Sequence, residues 1–381
     1  MDRVFGWSSS QGHILTGGGE LLECTTAEDY DESELPHYHL RNRSTRKYFS
    51  DWLSLGARSS LICGCWSRPV FAGGWQRDTD RETEAFNLQT PSFFIDMRFP
   101  VDLPTKRLCS RGQLSDCNSE DLKLLSRQHC FAGYSLPSVG KSGGLDADKP
   151  HFTRHHFIDW NYHPSFPRPR PNKWWVLMSP DKNHFKEYSF ARDKRNVPVY
   201  FEQWTRRPDD SLGAKFLAAR RETECPLVAA AQGRVPERDA LLVIVGNHFA
   251  LAIDRAQPPP AFAGLVGPAG SPLVDQSLEQ GNLKDCAAYL DLEGSYGLVR
   301  QHTNAEDGKG APVFIIAKST HPWREGRPLG IAGARVLVDA KSSIPKGLDW
   351  KGAIWTLHEN SFSLPELREL LSCPEGLRSR L

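Results

Sequence analysis

Short runs of apolar and β-branched residues, many alternating with polar ones, recur along the whole chain. Most lie close to Gly, Pro, Asn or Asp, a pattern typical of strands joined by turns. We predict strands in the segments 61–65, 92–99, 155–162, 174–178, 197–204, 240–253, 286–299, 313–318, 334–338 and 353–357. Helical periodicity is scarce, with one helix predicted at 119–127, capped by Ser119, and another at 364–371.

This pattern predicts an all-β protein whose antiparallel strands form one barrel with insertions or two barrel-like halves, with a few short helices. We divide the chain into an N-terminal arm at 1–40, a β-barrel-like domain with the candidate site at 41–255, and a second β-rich, barrel-like half at 273–381. The segment 256–272, rich in Pro, Gly and Ala, is the predicted linker.

Composition narrows the classes of function. The 381 residues carry 47 Lys plus Arg and 46 Asp plus Glu, a net charge of +1, which gives no electrostatic footprint for nucleic acid. No apolar run reaches the roughly 20 residues that cross a membrane. The N-terminus lacks the apolar core of a secretory signal, so we expect a cytoplasmic protein whose nine cysteines are mainly free thiols.

The candidate metal ligands are histidines. His155 and His156 are adjacent on a predicted strand, so one faces the barrel interior and the other faces outward. A catalytic zinc ion (Zn2+) takes three protein ligands and leaves one position open. We therefore combine one or both of these histidines with His129, and the third ligand is His163, Cys130 or a carboxylate such as Glu202. His37 and His39, a rival pair, share one strand face in the predicted arm.

Charged and aromatic residues alternate on two predicted strands. Asp96 and Arg98 share one face of 92–99, and Glu202 and Trp204 share one face of 197–204. Such a face would line a cavity, with Trp160 and Trp204 stacking aromatic rings and Arg98 binding polar groups. A buried carboxylate on such a face, with a raised pKa, would suit general acid–base chemistry. The simpler interpretation is that an Arg–Glu or Arg–Asp ion pair closes the barrel.

Several segments resemble a lipocalin-like family of β-barrel proteins from bacteria and fungi, mostly uncharacterised. They are 87–92, 96–100, 127–128, 131–133, 158–160, 200–204, 243–248, 254–255 and 319–326, so the resemblance covers about two thirds of the chain. Within it, the sequence is most similar to the fungal cyclopenases, described as hemocyanin-like, of viridicatin-type quinolone alkaloid biosynthesis. It departs from the bacterial pattern at His129, His163 and His321.

The resemblance implies a zinc-dependent lyase. Such an enzyme converts a cyclopenin-type 6,7-bicyclic benzodiazepinedione epoxide into a viridicatin-type 6,6-quinolone with loss of methyl isocyanate. Zinc would polarise a carbonyl or epoxide oxygen, and Glu202 or Asp159 would move the proton. The alternative is a lipocalin-like carrier that binds an aromatic small molecule without transforming it. The histidine group separates the two hypotheses, because a carrier needs no metal.

Overall fold

The computed structural model describes residues 13–15, 21–23, 61–73, 82–138, 151–161, 172–189, 200–208, 213–221, 238–255, 270–303 and 310–372, with a few single positions between them. Within these ranges the chain is mainly antiparallel strands with a few short helices, as the sequence predicts. None of the described helices has the length and apolar character needed to cross a bilayer. The rival histidines His37 and His39 lie outside the described residues, as does most of the predicted arm.

The first half is a closed antiparallel barrel of eight strands. Two short paired strands, β1 (His13–Leu15) and β2 (Leu21–Glu23), precede it. The barrel strands are β3 (Gly64–Gly73), β4 (Thr83–Gln89), β5 (Phe93–Pro100), β6 (His129–Ser138), β7 (His151–Asp159), β8 (Asn172–Met178), β9 (His184–Ser189) and β10 (Tyr200–Arg206). Each strand pairs with its neighbour in sequence, and β10 returns to β3. This is the up-and-down order that lipocalins share with other small barrels, and the predicted antiparallel β-barrel is present.

The second half is an eight-stranded antiparallel sheet. Its strands are β11 (Phe216–Arg221), β12 (Ala240–Val245), β13 (His248–Ile253), β14 (Glu293–Thr303), β15 (Gly310–Ser319), β16 (Arg335–Val338), β17 (Pro345–Trp350) and β18 (Ala353–Asn360). They pair in the order β15-β14-β13-β12-β11-β18-β17-β16. Gly246, with φ 56°, supplies the left-handed turn residue of the β12–β13 hairpin.

The strand pairing places the boundary between the two halves earlier in the chain than the predicted linker. Strands β11 to β13 lie in the predicted 41–255 domain, yet they pair with β14 and β18 of the second sheet. The change of sheet therefore falls between β10 and β11. The predicted linker overlaps a helix, Gly270–Glu279, because a Pro- and Gly-rich composition is compatible with a helix start.

Within the described ranges, five short helices decorate the sheets. They are α1 (Thr105–Cys109), α2 (Ser119–Ser126), α3 (Gly270–Glu279), α4 (Leu283–Tyr289) and α5 (Leu364–Leu370), with short 3-10 turns at Leu114–Asp116 and Pro322–Arg324. The N-terminal cap of helix α2 lies one residue before the predicted one. Asn118, not Ser119, is the capping residue, and it forms a capping box with Asp121. The predicted strand 286–299 is in fact helix α4 followed by β14.

The two halves share one core. The outer face of β4, β5 and β6 packs on β12 and β13, and the largest cluster of buried apolar side chains spans this contact. Gly294 is required here because a Cβ would lie 2.6 Å from the Cys130 sulfur. The cysteines within the described residues are free thiols, consistent with the sequence prediction.

Candidate binding site in the barrel lumen

Alternating residues of the barrel strands point into its interior. On β5 these are Phe94, Asp96 and Arg98, and the cross-strand partners of Asp96 are Asn87 on β4 and Phe131 on β6. Directly paired residues share a face, so the register extends this inward set around the barrel. The alternation that predicts a cavity-facing Asp96–Arg98 pair is thus observed.

One part of the lumen is apolar and aromatic. Its buried cluster includes the inward side chains Trp66, Phe152, Trp174, Phe185 and Trp204. Phe152 stacks on Trp174 with ring centroids 5.0 Å apart, and Phe185 stacks on Trp204 at 6.1 Å. The prediction that Trp204 lies in the barrel interior agrees with this placement.

The rest of the lumen holds a network of buried ion pairs. Arg68 donates to Glu202 at 2.7 Å, and a guanidinium nitrogen of Arg98 lies 3.7 Å from the same carboxylate. Arg98 and Arg154 both donate to Asp96, at 3.0 and 3.1 Å. Burial alone would raise the pKa of Asp96, but Arg98 outweighs it and holds this pKa at about 2.

Glu187 is the exceptional acid of this network. It lies opposite Glu202 in the β9–β10 register and is 4% exposed. Burial first, and the negative charge of Glu202 second, raise the pKa of Glu187 to about 8. At neutral pH the lumen therefore contains a protonated carboxyl group directly across from the Glu202 carboxylate.

His155 and His156 point to opposite faces of the sheet, as their adjacent positions on one strand predict. His156 faces the lumen, where its Nδ1 lies 3.0 Å from an Asp159 oxygen, while His155 points outward and contacts the Thr153 hydroxyl at 3.0 Å. His129 also faces the lumen, half-buried, and stacks on Phe131. Burial, with Arg98 nearby, lowers the pKa of His129 to about 3, so this imidazole is neutral.

The predicted zinc ligands are therefore only partly brought together. His129 and His156 both flank Phe131, but His155 is on the opposite face of the sheet. Among the described residues, no three His, Cys, Asp or Glu side chains form a group that could hold a metal ion. His163 lies outside those residues, and the described donors alone do not fit a three-ligand zinc site.

Asp159 and Trp160 lie at the end of β7 and differ in placement. Asp159 faces the lumen beside His156 and accepts a hydrogen bond from the Asn161 amide. Trp160 belongs to the core between the halves, and its indole nitrogen points to the Ser126 carbonyl at 3.4 Å. The expectation that Trp160 lines the lumen is not met, since the β6–β7 register shifts at a bulge before this position.

Several lumen groups have no hydrogen-bond partner among the described residues. They are Nε and Nη2 of Arg154, the indole nitrogens of Trp174 and Trp204, one carboxylate oxygen each of Glu187 and Glu202, and the amide of Asn87. Buried polar groups are normally paired, and each unpaired one costs about 1–3 kcal/mol. Those on the inward face of the barrel would be satisfied by a polar ligand in the lumen.

Sequence reasoning missed three members of this site: Arg68, Arg154 and Glu187. Arg154 is two residues from His156, so strand parity places both on the inward face, a signal present in the sequence. Glu187 likewise alternates with Phe185 and Ser189 on β9, which are all buried. Arg68 is two residues from the inward Trp66, but it lies beyond the predicted strand 61–65, and a register shift between β3 and β10 interrupts the alternation before Phe71.

Comparison with known proteins finds two partial structural likenesses. No protein-family model matches the chain, and no curated protein matches it. An uncharacterized protein from Saccharomyces cerevisiae is 11% identical over 78% of this chain and 98% of its own, with a TM-score of 0.39. Lobster apocrustacyanin A1 is 11% identical over 42% of this chain and 68% of its own, with a TM-score of 0.21. The barrel assignment rests on strand topology instead.

Proposed function

We propose that the barrel lumen binds a small aromatic molecule that carries oxygen acceptors. The observation that supports this most directly is Arg154, whose guanidinium lies 4.6 Å from the Phe94 ring centroid and 5.0 Å from that of Trp174. Two of its nitrogens lack a partner among the described residues. An aromatic ligand would stack on the same walls and accept hydrogen bonds from these nitrogens.

The charge balance of the lumen favours the same chemistry. Three guanidinium groups, of Arg68, Arg98 and Arg154, face the carboxylates of Asp96 and Glu202, because Glu187 is protonated at neutral pH. The ion-pair network around Asp96 and Glu202, which does not include Asp159 beside His156, therefore carries one excess positive charge. Electron-rich carbonyl or epoxide oxygens would be stabilised there, whereas a cationic ligand would be repelled.

Replacing Arg154 with methionine tests this binding site. We expect the affinity for a cyclopenin-type benzodiazepinedione, measured by titration calorimetry, to fall by about tenfold or more, as loss of a charge-assisted hydrogen bond predicts. Lys186→Met is the matched control, since Lys186 is exposed on the outer face of β9. Equal affinity of Arg154→Met and the wild type would refute a lumen site, provided that both show the same circular dichroism spectrum.

A second candidate is catalysis in the same lumen, namely the lyase reaction implied by the resemblance to cyclopenases. Its support is the pairing of a protonated Glu187 with the Glu202 carboxylate. A protonated carboxyl group that faces a second carboxyl group is an arrangement suited to general acid–base catalysis. Glu187 would donate a proton to the opening epoxide oxygen, and Glu202 or Asp159 would accept the proton released during ring contraction.

Incubation with a cyclopenin-type epoxide separates the two candidates. Formation of a viridicatin-type quinolone, followed by mass spectrometry, would establish the lyase. Recovery of unchanged epoxide that nevertheless binds would leave the carrier. Failure of both epoxide and quinolone to bind would contradict the proposed substrate class.

Elemental mass spectrometry of the purified, untagged protein measures whether the chain binds zinc. A catalytic site predicts about one zinc per chain, and His129→Ala would then lose both the metal and turnover. His155→Ala is the control, because His155 points away from the lumen. Zinc that persists at wild-type level in His129→Ala would overturn His129 as a ligand. A protein without zinc that still forms quinolone would leave the acid–base chemistry to the carboxyl groups alone.

A further inference from the structure

Asn87 on β4 carries a buried side-chain amide on the inner wall of the barrel. Its cross-strand partners are Trp66 on β3 and Asp96 on β5, and both of these face inward. Directly paired residues share a face, so the register places the Asn87 amide in the lumen as well. The residue is 0% exposed, so the fold withdraws this amide from bulk water.

Neither polar atom of the Asn87 amide has a hydrogen-bond partner among the described residues. The carboxylate of Asp96, directly across the ladder, is bonded to guanidinium groups instead, Arg154 among them at 3.1 Å. Gln89, the next inward residue on β4, differs because its amide nitrogen donates to the Thr90 carbonyl at 2.7 Å. Each unpaired atom of a buried amide carries a desolvation cost, which a ligand of matching polarity would remove.

The Asn87 amide offers one donor and one acceptor side by side, whichever way its oxygen and nitrogen are turned. A ligand group that satisfies both must present an acceptor beside a donor in one plane. The C=O and N–H of a lactam, a cyclic cis-amide, meet this requirement. A ketone, ester or epoxide has the acceptor only. A carboxylate has no donor, and it would lie beside Asp96, whose low pKa keeps that residue ionised.

We propose that Asn87 is the specificity-determining residue of the lumen and selects ligands that carry an N–H beside the carbonyl. This inference rests on the binding function proposed above and adds a donor requirement to it. The aromatic part of the ligand would lie against Phe94, the cross-strand partner of Gln89. Arg154 lies 4.6 Å from the Phe94 ring centroid and also contacts Asp96, so it borders the same space. The edge that bears the lactam would then face Asn87.

Calorimetric titration of the full chain with 2-quinolone and 1-methyl-2-quinolone tests the donor requirement. The two probes share the aromatic rings and the carbonyl, and only 2-quinolone keeps the N–H. We expect 2-quinolone to bind about tenfold or more tightly, as one hydrogen bond to a buried partner predicts. Equal affinities would overturn the assignment of Asn87 and leave the lumen function in place. Binding of neither probe would also overturn it, and the Arg154→Met titration with the benzodiazepinedione then decides the lumen function separately.

Asn87→Leu separates a ligand-binding role from a structural one. Leucine keeps the branched shape of the side chain and removes the unpaired amide, so the unliganded variant should unfold at a higher denaturant concentration than the wild type. It should bind 2-quinolone about tenfold more weakly and lose the preference over the methylated probe. Asn183→Leu, in the exposed turn between β8 and β9, is the matched control and should keep both. A lower unfolding midpoint in Asn87→Leu, or a preference for 2-quinolone that persists there, would overturn the proposal.

Discussion

Replacing Glu187 with glutamine is expected to stabilise the protein at pH 9 and to change its stability little at pH 5. Burial and the facing Glu202 raise the pKa of Glu187 from 4.5 to about 8 in the folded chain. A raised pKa means that the folded state favours the protonated form. The stabilisation is therefore complete below pH 4.5, the unfolded value, and is lost as the pH rises through about 8.

The size of this effect follows from the displacement of the pKa. Each tenfold change in proton affinity is worth about 1.4 kcal/mol, so ionising Glu187 costs on the order of 5 kcal/mol of folding stability. Glutamine imitates the protonated carboxyl and cannot ionise, so the variant avoids that loss. Denaturant titrations of both proteins at pH 5 and pH 9 measure the free energy of unfolding directly.

The control for this experiment is Lys186→Gln, one residue away on the exposed face of β9. It should shift stability by less than about 0.5 kcal/mol at either pH, as surface substitutions do. An equal stability difference between Glu187→Gln and the wild type at both pH values would contradict a protonated Glu187. If the chain is a lyase, the same variant should also lose the proton donor and most of its turnover.

The sequence predicts which residues face the lumen wherever the alternation along one strand is enough to decide it. Asp96 and Arg98 alternate with apolar neighbours on β5, and strand parity alone places them together on the inward face. The same rule separates His155 from His156. These predictions succeed because the period of a strand is fixed and does not depend on the strands beside it.

Other features depend on contacts between strands and were not predictable in the same way. Glu187 becomes unusual because the closed barrel buries it and because Glu202 lies across from it on β10, a register that no single segment encodes. Trp160 leaves the lumen because of a bulge in the β6–β7 ladder. Helix α4 was predicted as a strand since a short apolar run does not distinguish the two.

The boundary between the halves illustrates the same limit. Composition changes at 256–272, but the strand order changes before Phe216, because β11 pairs with β12 and β18. A chain passes from one sheet to another wherever its next strand finds a pairing partner. The same turn residues can connect two strands of one sheet or strands of two different sheets. Loop composition is therefore a poor marker of where one sheet ends.

Replacing Arg255 with methionine should have the second large effect, a loss of about 3–5 kcal/mol in the free energy of unfolding. Arg255 follows β13 in the second half and is 4% exposed. It donates to the backbone carbonyls of Asp159 and Trp160 at 2.9 and 2.7 Å, and also to the carbonyl of Tyr289. One side chain thus joins the end of β7, helix α4 and the second sheet.

Methionine keeps much of the side-chain volume but removes all three donors. The carbonyls of Asp159 and Trp160 then lose charge-assisted hydrogen bonds in a buried setting, where each unsatisfied acceptor costs about 1–3 kcal/mol. Tyr289 still donates to Trp160 at 3.0 Å, so the loss at that carbonyl is partial. Guanidinium denaturation, monitored by circular dichroism, measures the change.

Arg127→Met is the matched comparison, because Arg127 forms an exposed ion pair with Asp102. Exposed pairs contribute about 0–1 kcal/mol, so the two substitutions should differ by several-fold. Similar losses in both variants would show that the Arg255 contacts do not hold the halves together. A large loss at Arg255 alone would mean that the lumen end carrying Asp159 and His156 is positioned from the second sheet, so that the two halves form one functional unit.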